Sequence, residues 1–572
     1  MPPLESAYAA RPWLQHYGGV LHTLNYPEAT LYQALMASVR RLPDAIAIDF
    51  LDHQVTYRAL GDMIDRCANA LQALGVGAGD RILIATPTCP QGVIGVYAAN
   101  RLGAVAALVH PLSAPEELAH YLDLTGAEYV LTLDAFYGKF TALPPAKPLK
   151  AIVLARIQDF LSGFKRIGYG LKYGRKIPRV PPDPRVHWWS EIERTAARDT
   201  APIGSADDLA VIMFSGGTTG LPKAIMLSNR NIISEGMMVS AWVGMREGDR
   251  VLAIMPLFHG FGFGGCINAP FMGGGTAVMV PSFTAHTVAK LIRTKRPNMV
   301  GGVPTLFDAL SRDPSLQKVD LSCLRVTISG ADRLPLPVKE RFEALVAAHG
   351  GHVRLVEGYG LTETVTGVIL MPLHDYREGS IGLPFPDMQA AICRPGTVEE
   401  TPVGEEGEIC ITGPAVMLGY LGDAGATAEA LRMHADGRRW LHTGDLGRMD
   451  TDGYFYFTCR LKRLIKSSGF NVYPAQVEEV LQAHPAVAEA CVIGVPDPAQ
   501  VERVVAIVAL RDAAAAGPGT ERALIEHCHA RLIKWSCPRN VEFVAELPKT
   551  RLGKVDYGAL ARRAREPQRA QG

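Results

Sequence analysis

Ala210-Val211-Ile212-Met213-Phe214, an unbroken apolar run, leads straight into Ser215-Gly216-Gly217-Thr218-Thr219-Gly220-Leu221-Pro222-Lys223. The run reads as a buried strand. The loop after it carries three glycines, three hydroxyls and a lysine. Glycine lets a backbone approach a polyanion closely, hydroxyls and main-chain amides hydrogen-bond phosphate oxygens, and Lys223 adds a positive charge. Leu221-Pro222 separates Gly220 from Lys223, and Ala224 follows. That spacing is not the GxxxxGK[ST] of a Walker A loop.

Upstream of this loop, helical and strand periodicities alternate. Tyr57–Leu74, Gln91–Leu102 and Pro115–Thr125 read as helices, and Arg81–Thr86, Ala104–Val109 and Tyr129–Leu133 as apolar strands. The alternation resumes at Leu209 and continues to about residue 370. Continuously apolar strands between helices predict parallel and mixed sheets covered on both faces. After Phe457 the texture changes to short strands (Ala490–Val495, Val504–Leu510, Glu542–Val544) and a helix near Thr520–Ile533, with a loop at Ala513–Gly519. The expected fold is α/β: a large N-terminal domain over 1–459 and a small α+β domain over 460–572.

The whole chain is 572 residues, 48% hydrophobic and 20% charged. Such a composition excludes a mainly disordered protein. Lys+Arg 58 against Asp+Glu 57 leaves no global field for nucleic acid. Ten scattered cysteines without a CxxC pair read as small buried hydrophobes in a reducing compartment. The N-terminal residues lack the apolar core of a secretory signal. Val251–Thr284 has no charged Asp, Glu, Lys or Arg, but Pro256, Pro270, Pro281 and Gly273-Gly274-Gly275 break it. It reads as buried core rather than a membrane span. One segment stands apart. Residues 156–185 hold eight basic side chains against Asp159 and Asp183, with Ile157, Phe160, Leu161, Phe164, Ile167 and Leu171 at helical spacing. A basic amphipathic helix suits an anionic membrane surface, whereas an insertion packed on its own domain is the plainer expectation.

Four more blocks follow the loop in order: Tyr359-Gly360-Leu361-Thr362-Glu363-Thr364, Trp440-Leu441-His442-Thr443-Gly444-Asp445, Arg460-Leu461-Lys462-Arg463-Leu464-Ile465-Lys466 and Leu547-Pro548-Lys549-Thr550-Arg551-Leu552-Gly553-Lys554. Together the five blocks resemble the adenylate-forming superfamily of acyl-CoA synthetases, peptide-synthetase adenylation domains and luciferases. The likeness spans about residues 30 to 560, and its texture is most similar to bacterial medium- or long-chain fatty acyl-CoA ligases.

The resemblance implies an acid–thiol ligase that uses ATP, CoA and Mg²⁺. It assigns Ser215, Gly216, Gly217, Thr218, Thr219, Gly220 and Lys223 to the β- and γ-phosphates. Tyr359 would stack on adenine, with Gly360 beside it and Gly330, in Ser329-Gly330-Ala331, near the adenine edge and acyl pocket. Thr362 would bond the α-phosphate and Glu363 would ligate Mg²⁺. Asp445 and Arg460 would hold the ribose. Lys554 would bridge the carboxylate and α-phosphate during adenylation. Lys466 would face the site in the thiol half-reaction, Lys462 would be the hinge, and Gly469 would let the pantetheine arm pass. His259, in Pro256-Leu257-Phe258-His259-Gly260-Phe261-Gly262-Phe263, would gate the acyl carboxylate. Several positions depart from the family pattern, among them Asp332-Arg333, Cys459, Gln476 and Tyr557. Loading of a separate carrier protein, adenylate-driven ring closure and a non-catalytic nucleotide- or acyl-binding protein stay open as alternatives. A cytoplasmic location is expected, with peripheral membrane contact through 156–185 as the alternative to an insertion packed on its own domain. Chain length of the acid, oligomeric state and pathway are not legible in the sequence.

Overall fold

A computed structural model describes residues 8–142, 148–196, 201–215, 222–467, 470–497, 500–549 and 555–569. Three sheets build the larger part. The first has eight strands. Its centre is parallel, with Val105–Leu108 lying between Arg81–Ala85 and Leu209–Phe214. Val105–Leu108 and Tyr129–Leu133 are buried at every position. Helix Pro90–Arg101 is likewise buried along its whole length, as expected where a sheet is covered on both faces. Leu209–Phe214 then turns back as an antiparallel partner of Ala224–Ser228, with Phe214 opposite Ala224. Ser215 N donates to Lys223 O across 3.1 Å at the open end of this pair.

The second sheet has nine strands, and Arg250–Ala253, Met299–Gly302, Val326–Ser329 and Leu355–Gly360 run parallel at its centre. The third is antiparallel: Gln389–Cys393, Gly407–Thr412 and Arg439–Met449 in turn, with Phe455–Arg460 paired to the last. From Ile465 onward the chain makes a five-stranded sheet of its own. Helices Pro474–Gln482 and Pro518–His529 close it around a separate core of Val477, Leu481, Ala506, Val508 and Leu524.

The segment 251–284 is buried or half-buried core from 251 to 281, turns exposed at 282–284, and contains one element that periodicity did not predict. Phe261–Asn268 is a π-helix, a wide turn that concentrates at functional sites. The expected loop at Ala513–Gly519 is shorter than the composition suggested. Asp512 caps a 3-10 turn at Ala513–Ala515, and the next helix already starts at Pro518. Proline is favoured there because its missing N–H would be unpaired in a first turn anyway.

The basic insertion divides in two. Ile157, Phe160 and Leu161 are buried, and the Arg156 guanidinium lies 3.9 Å over the Trp188 ring. Helix Gly163–Tyr173, by contrast, has no buried residue. Among the described residues no helix is long and apolar enough to cross a membrane.

Candidate active site

Ligands of open α/β sheets gather outside the carboxyl ends of the strands. Four strand ends meet there. Ser215 follows Leu209–Phe214, His259 follows Arg250–Ala253, Gly330 follows Val326–Ser329, and Tyr359 and Gly360 end Leu355–Gly360. Gly330 N donates to Gly302 O across 3.0 Å. A cavity of about 360 Å³ opens at the opposite strand ends, among Arg81, Asn100, Val105 and Asp208. Its volume exceeds what a water needs, but none of the expected site residues line it, so chemistry rather than size locates the site.

Register explains one meeting of side chains. The short strand Gly419–Tyr420 pairs with Ala224–Ser228, placing Tyr420 opposite Ile225, two residues beyond Lys223. Lys223 Nζ consequently lies 4.4 Å from the centre of the Tyr420 ring, a cation–π contact. The Tyr420 hydroxyl donates to Glu363 Oε1 across 2.9 Å. Burial, then the Glu363 carboxylate, pushes the Tyr420 phenol far up. Lys223 and Glu363 thus share one aromatic ring as their common neighbour. Tyr420 has no signal in the sequence beyond its glycine neighbour.

The second meeting involves three expected residues. Tyr359 donates its hydroxyl hydrogen to Asp445 Oδ2 across 2.8 Å, and Arg460 Nε lies 3.2 Å from Asp445 Oδ1. Asp445 and Arg460 are cross-strand partners, so the antiparallel ladder pairs them. Burial, then Asp445, pushes the Tyr359 phenol well up. Glu408, which sequence reasoning missed, anchors the strand: Oε2 is 2.8 Å from His442 Nδ1 and Oε1 accepts from Gly444 N at 2.9 Å. This fixes the backbone just before Asp445.

Thr362 and Glu363 sit in a 3-10 turn, Thr362–Thr364. Val365, directly after it, has φ 66°, a left-handed conformation that β-branched residues rarely adopt. Ala331, directly after Gly330, has φ 70°. Such strain gathers where a surrounding structure over-determines the backbone, and active sites are common examples. Two glycines are dictated by space. A Cβ on Gly360 would sit 1.9 Å from Thr366 O, and one on Gly260 would sit 1.7 Å from Val365 O. The second contact packs the His259 segment against the Thr362–Thr364 turn. His259 is half-buried rather than a core residue, and its Nδ1 accepts from Phe261 N at 3.2 Å.

Gly216, Gly217, Thr218, Thr219, Gly220, Gly469 and Lys554 lie outside the described residues. Lys462 and Lys466 are exposed, and Lys466 N donates to Glu502 Oε2 at 2.8 Å. Two departures from the family pattern have visible partners. Arg333 pairs with Glu479 at 3.1 Å, between the larger part and the C-terminal sheet's first helix, and the Arg463 guanidinium lies 3.5 Å over the Tyr557 ring.

Comparison with known proteins agrees with this geometry. The family model "AMP-binding enzyme" matches residues 35–421, and "AMP-binding enzyme C-terminal domain" matches residues 476–554. A long-chain-fatty-acid–CoA ligase of Bacillus subtilis (strain 168) is 35% identical over 554 residues, covering 95% of this chain and 96% of that protein. ATP-bound MatB from Rhodopseudomonas palustris superimposes with a TM-score of 0.79 at 26% identity, covering 95% of this chain and 100% of that one. The anthranilate CoA ligase AuaEII in complex with anthranoyl-AMP gives 0.80 at 25% identity, covering 96% and 99%. With a matching model over more than half its length and strand ends that converge as described, the chain belongs to the AMP-binding enzyme family.

Proposed function

We propose that the protein is an AMP-forming acid–thiol ligase, activating a carboxylic acid with ATP and passing the acyl group to CoA. In this reading the acid is a medium- or long-chain fatty acid, in keeping with the relative from Bacillus subtilis. The observation that carries the reading is the meeting of Lys223 and Glu363 on Tyr420, beside the Tyr359–Asp445–Arg460 cluster.

The chemistry explains the inventory. A carboxylate is a poor electrophile because its oxygen leaves badly. Attack of that oxygen on the α-phosphorus of ATP forms a new P–O bond and expels pyrophosphate. The oxygen then leaves with AMP when a thiol attacks the acyl carbon. Ser215 through Lys223 bind the β- and γ-phosphates, Thr362 the α-phosphate, and Tyr359, with Gly330 and Gly360 beside it, the adenine. Asp445 and Arg460 receive the ribose, Asp445 as acceptor for its hydroxyls. His259 borders the acyl carboxylate, and Lys554 stabilises charge between carboxylate and α-phosphate. Glu363 offers a hard oxygen donor next to the loop lysine, which fits Mg²⁺ held jointly with phosphates. The ion would supply neutralisation of the phosphate charge. In the second half-reaction the small domain turns about Lys462 and presents Lys466 and the Gly469 passage to the thiol, a hinge motion.

Pyrophosphate release across a panel of acids, with mass spectrometry of the products, tests the reading. Acid-dependent release with acyl-CoA as product is expected. Release with transfer only to a pantetheine-bearing carrier protein would replace CoA as the acceptor. No release from folded protein would leave a binding protein.

The same reading places the enzyme in the cytoplasm and against the membrane. All ten cysteines are free, in keeping with a reducing compartment. On helix Gly163–Tyr173, Lys165 pairs with Asp52 and bonds Leu51 O, and Tyr169 packs on the core. The opposite face leaves Phe164 93%, Ile167 62% and Leu171 78% exposed, with Arg166 and Lys172 also exposed. An apolar strip flanked by cations is suited to the headgroup boundary of an anionic bilayer.

A further inference from the structure

Helix Asn229–Trp242 carries an acidic side chain into the interior. Glu235 is 0% exposed, and among the described residues neither of its carboxyl oxygens has a hydrogen-bond partner. Nearly all buried polar groups in proteins are partnered, so each exception demands a reason. Burial pushes the Glu235 carboxyl well above the ordinary carboxylate range. Among the described residues no cation opposes that effect, so the group is not half of an ion pair seen there. Methionine or leucine would fill the same space without desolvating a carboxyl group.

The position of the group relates it to the site. A Cβ on Gly264 would sit 2.7 Å from Glu235 Oε2 and 3.2 Å from Thr366 Cγ2. Gly264 lies in the π-helix that follows His259, and Thr366 lies two residues after Thr364. One residue along, a Cβ on Gly265 would meet the Phe261 ring at 3.3 Å and Thr366 Cγ2 at 4.0 Å. The Phe261 ring in turn lies 3.5 Å from where a Cβ on Gly330 would be. Phe261 and Thr366 are half-exposed, whereas Glu235 is fully buried. A chain of close contacts therefore links the strand end at Gly330, through Phe261, Thr366 and the side-chain-free Gly264 and Gly265, to an unsatisfied carboxyl group. The π-helix makes this approach possible, because its wide turn stacks Gly264 and Gly265 without side chains against Thr366.

We propose that Glu235 is a specificity-determining residue of the acyl site, and that the acid substrate bears a hydrogen-bond-donating group, a hydroxyl or an amine, which docks on the Glu235 carboxyl when the acyl chain displaces the Phe261 ring. The proposal rests on the acid-activating reading above and narrows its substrate class from plain alkanoic acids to substituted ones. An unsubstituted chain leaves Glu235 without a partner. A correctly placed donor satisfies it, and sites built to bond a substrate hydroxyl discriminate strongly against the analogue lacking it.

The test uses the full chain and acids of equal carbon number: the unsubstituted acid and its positional hydroxy and amino isomers. Binding is measured by calorimetry and adenylation by pyrophosphate release. Wild type should favour at least one hydroxy or amino isomer over the plain acid by about tenfold or more in both. Glu235→Met should abolish the preference and bind the plain acid more tightly. Glu235→Gln should keep a preference for a hydroxyl but lose one for an amine, which separates the two donors. Because Glu235→Gln is nearly isosteric, it carries the comparison if the methionine variant does not fold. Wild type favouring the plain acid over every isomer overturns the proposal, as does a preference unchanged in both variants. Binding preference without acid-dependent pyrophosphate release from any acid would overturn the ligase reading and leave the role of Glu235 standing. Release without preference would do the reverse.

Discussion

Tyr420 donates its hydroxyl hydrogen to Glu363 Oε1 across 2.9 Å, and the same ring lies 4.4 Å from Lys223 Nζ. Three chain segments that share no local sequence signal meet in this way, and each replacement there has a different expected consequence. Glu363→Gln keeps the shape and removes the charge. Adenylation should fall by at least about 10²-fold, as for other losses of positioned charge, and saturating Mg²⁺ should not restore it. Tyr420→Phe keeps the ring beneath Lys223 and removes only a hydrogen bond to a charged group, a loss of about tenfold. Pyrophosphate-release rates as a function of Mg²⁺ check both. Near-normal rates for Glu363→Gln at limiting Mg²⁺ would sink the metal assignment.

Lys554 and Lys466 separate the two half-reactions. Lys554→Ala should cripple adenylate formation by about 10²–10³-fold, the loss typical of one positioned donor or cation. Given preformed acyl-adenylate and CoA, the same variant should make thioester at close to the wild-type rate. Lys466→Ala should show the inverse bias. Rapid-quench measurement of each half-reaction decides the matter. Equal loss of both steps in both variants would refute a rotating small domain.

Helix Gly163–Tyr173 should bind vesicles containing anionic lipid. Replacing Phe164, Ile167 and Leu171 by serine removes the exposed apolar strip, and co-sedimentation should drop at any salt concentration. Neutralising Arg166, Lys172 and Lys176 should weaken binding in a salt-sensitive manner, by about 1 kcal/mol for each cation near the surface. Lys165 is excluded from that set. It pairs with Asp52 and, ahead of Lys295, holds that carboxyl down to about 2. Failure of the wild type to sediment with such vesicles removes the membrane reading.

Glu357, two residues before Tyr359, should make stability fall with rising pH. Burial pushes its carboxyl up to about 7, against a smaller lowering effect of Lys339. Its Oε2 has no hydrogen-bond partner among the described residues. An unfolded glutamate releases its proton near pH ~4.3, so above that value the folded chain holds a proton the unfolded chain has lost. The stabilisation is full at lower pH and is lost as pH rises through about 7. Glu357→Gln removes the titration. Relative to wild type it should gain about 1–3 kcal/mol between pH ~5 and pH ~8. Chemical denaturation at the two pH values measures the difference, and an unchanged difference would show that Glu357 is ionised throughout.

The sequence by itself determined the local features. Apolar strands between amphipathic helices marked the parallel sheets, because burial on both faces requires continuous apolar runs. The five blocks from Ser215 to Lys554 were legible because each is a short, contiguous group with its own chemistry. Only tertiary structure decided what meets across distance. Asp445 faces Arg460 through strand register, and register depends on pairing rather than on either residue's identity. Tyr420 reaches Lys223 and Glu363 because Gly419–Tyr420 adds to the edge of Ala224–Ser228, a pairing between segments nearly two hundred residues apart in the chain. Periodicity suggested one amphipathic insertion at 156–185, but packing made Phe160 core and left Phe164 in solvent. Glu235 is the clearest case. Nothing in the local sequence of helix Asn229–Trp242 marks it as buried. Packing against neighbours that include Gly264 of the π-helix makes it a buried carboxyl group, because burial is a property of neighbours that the local sequence does not contain.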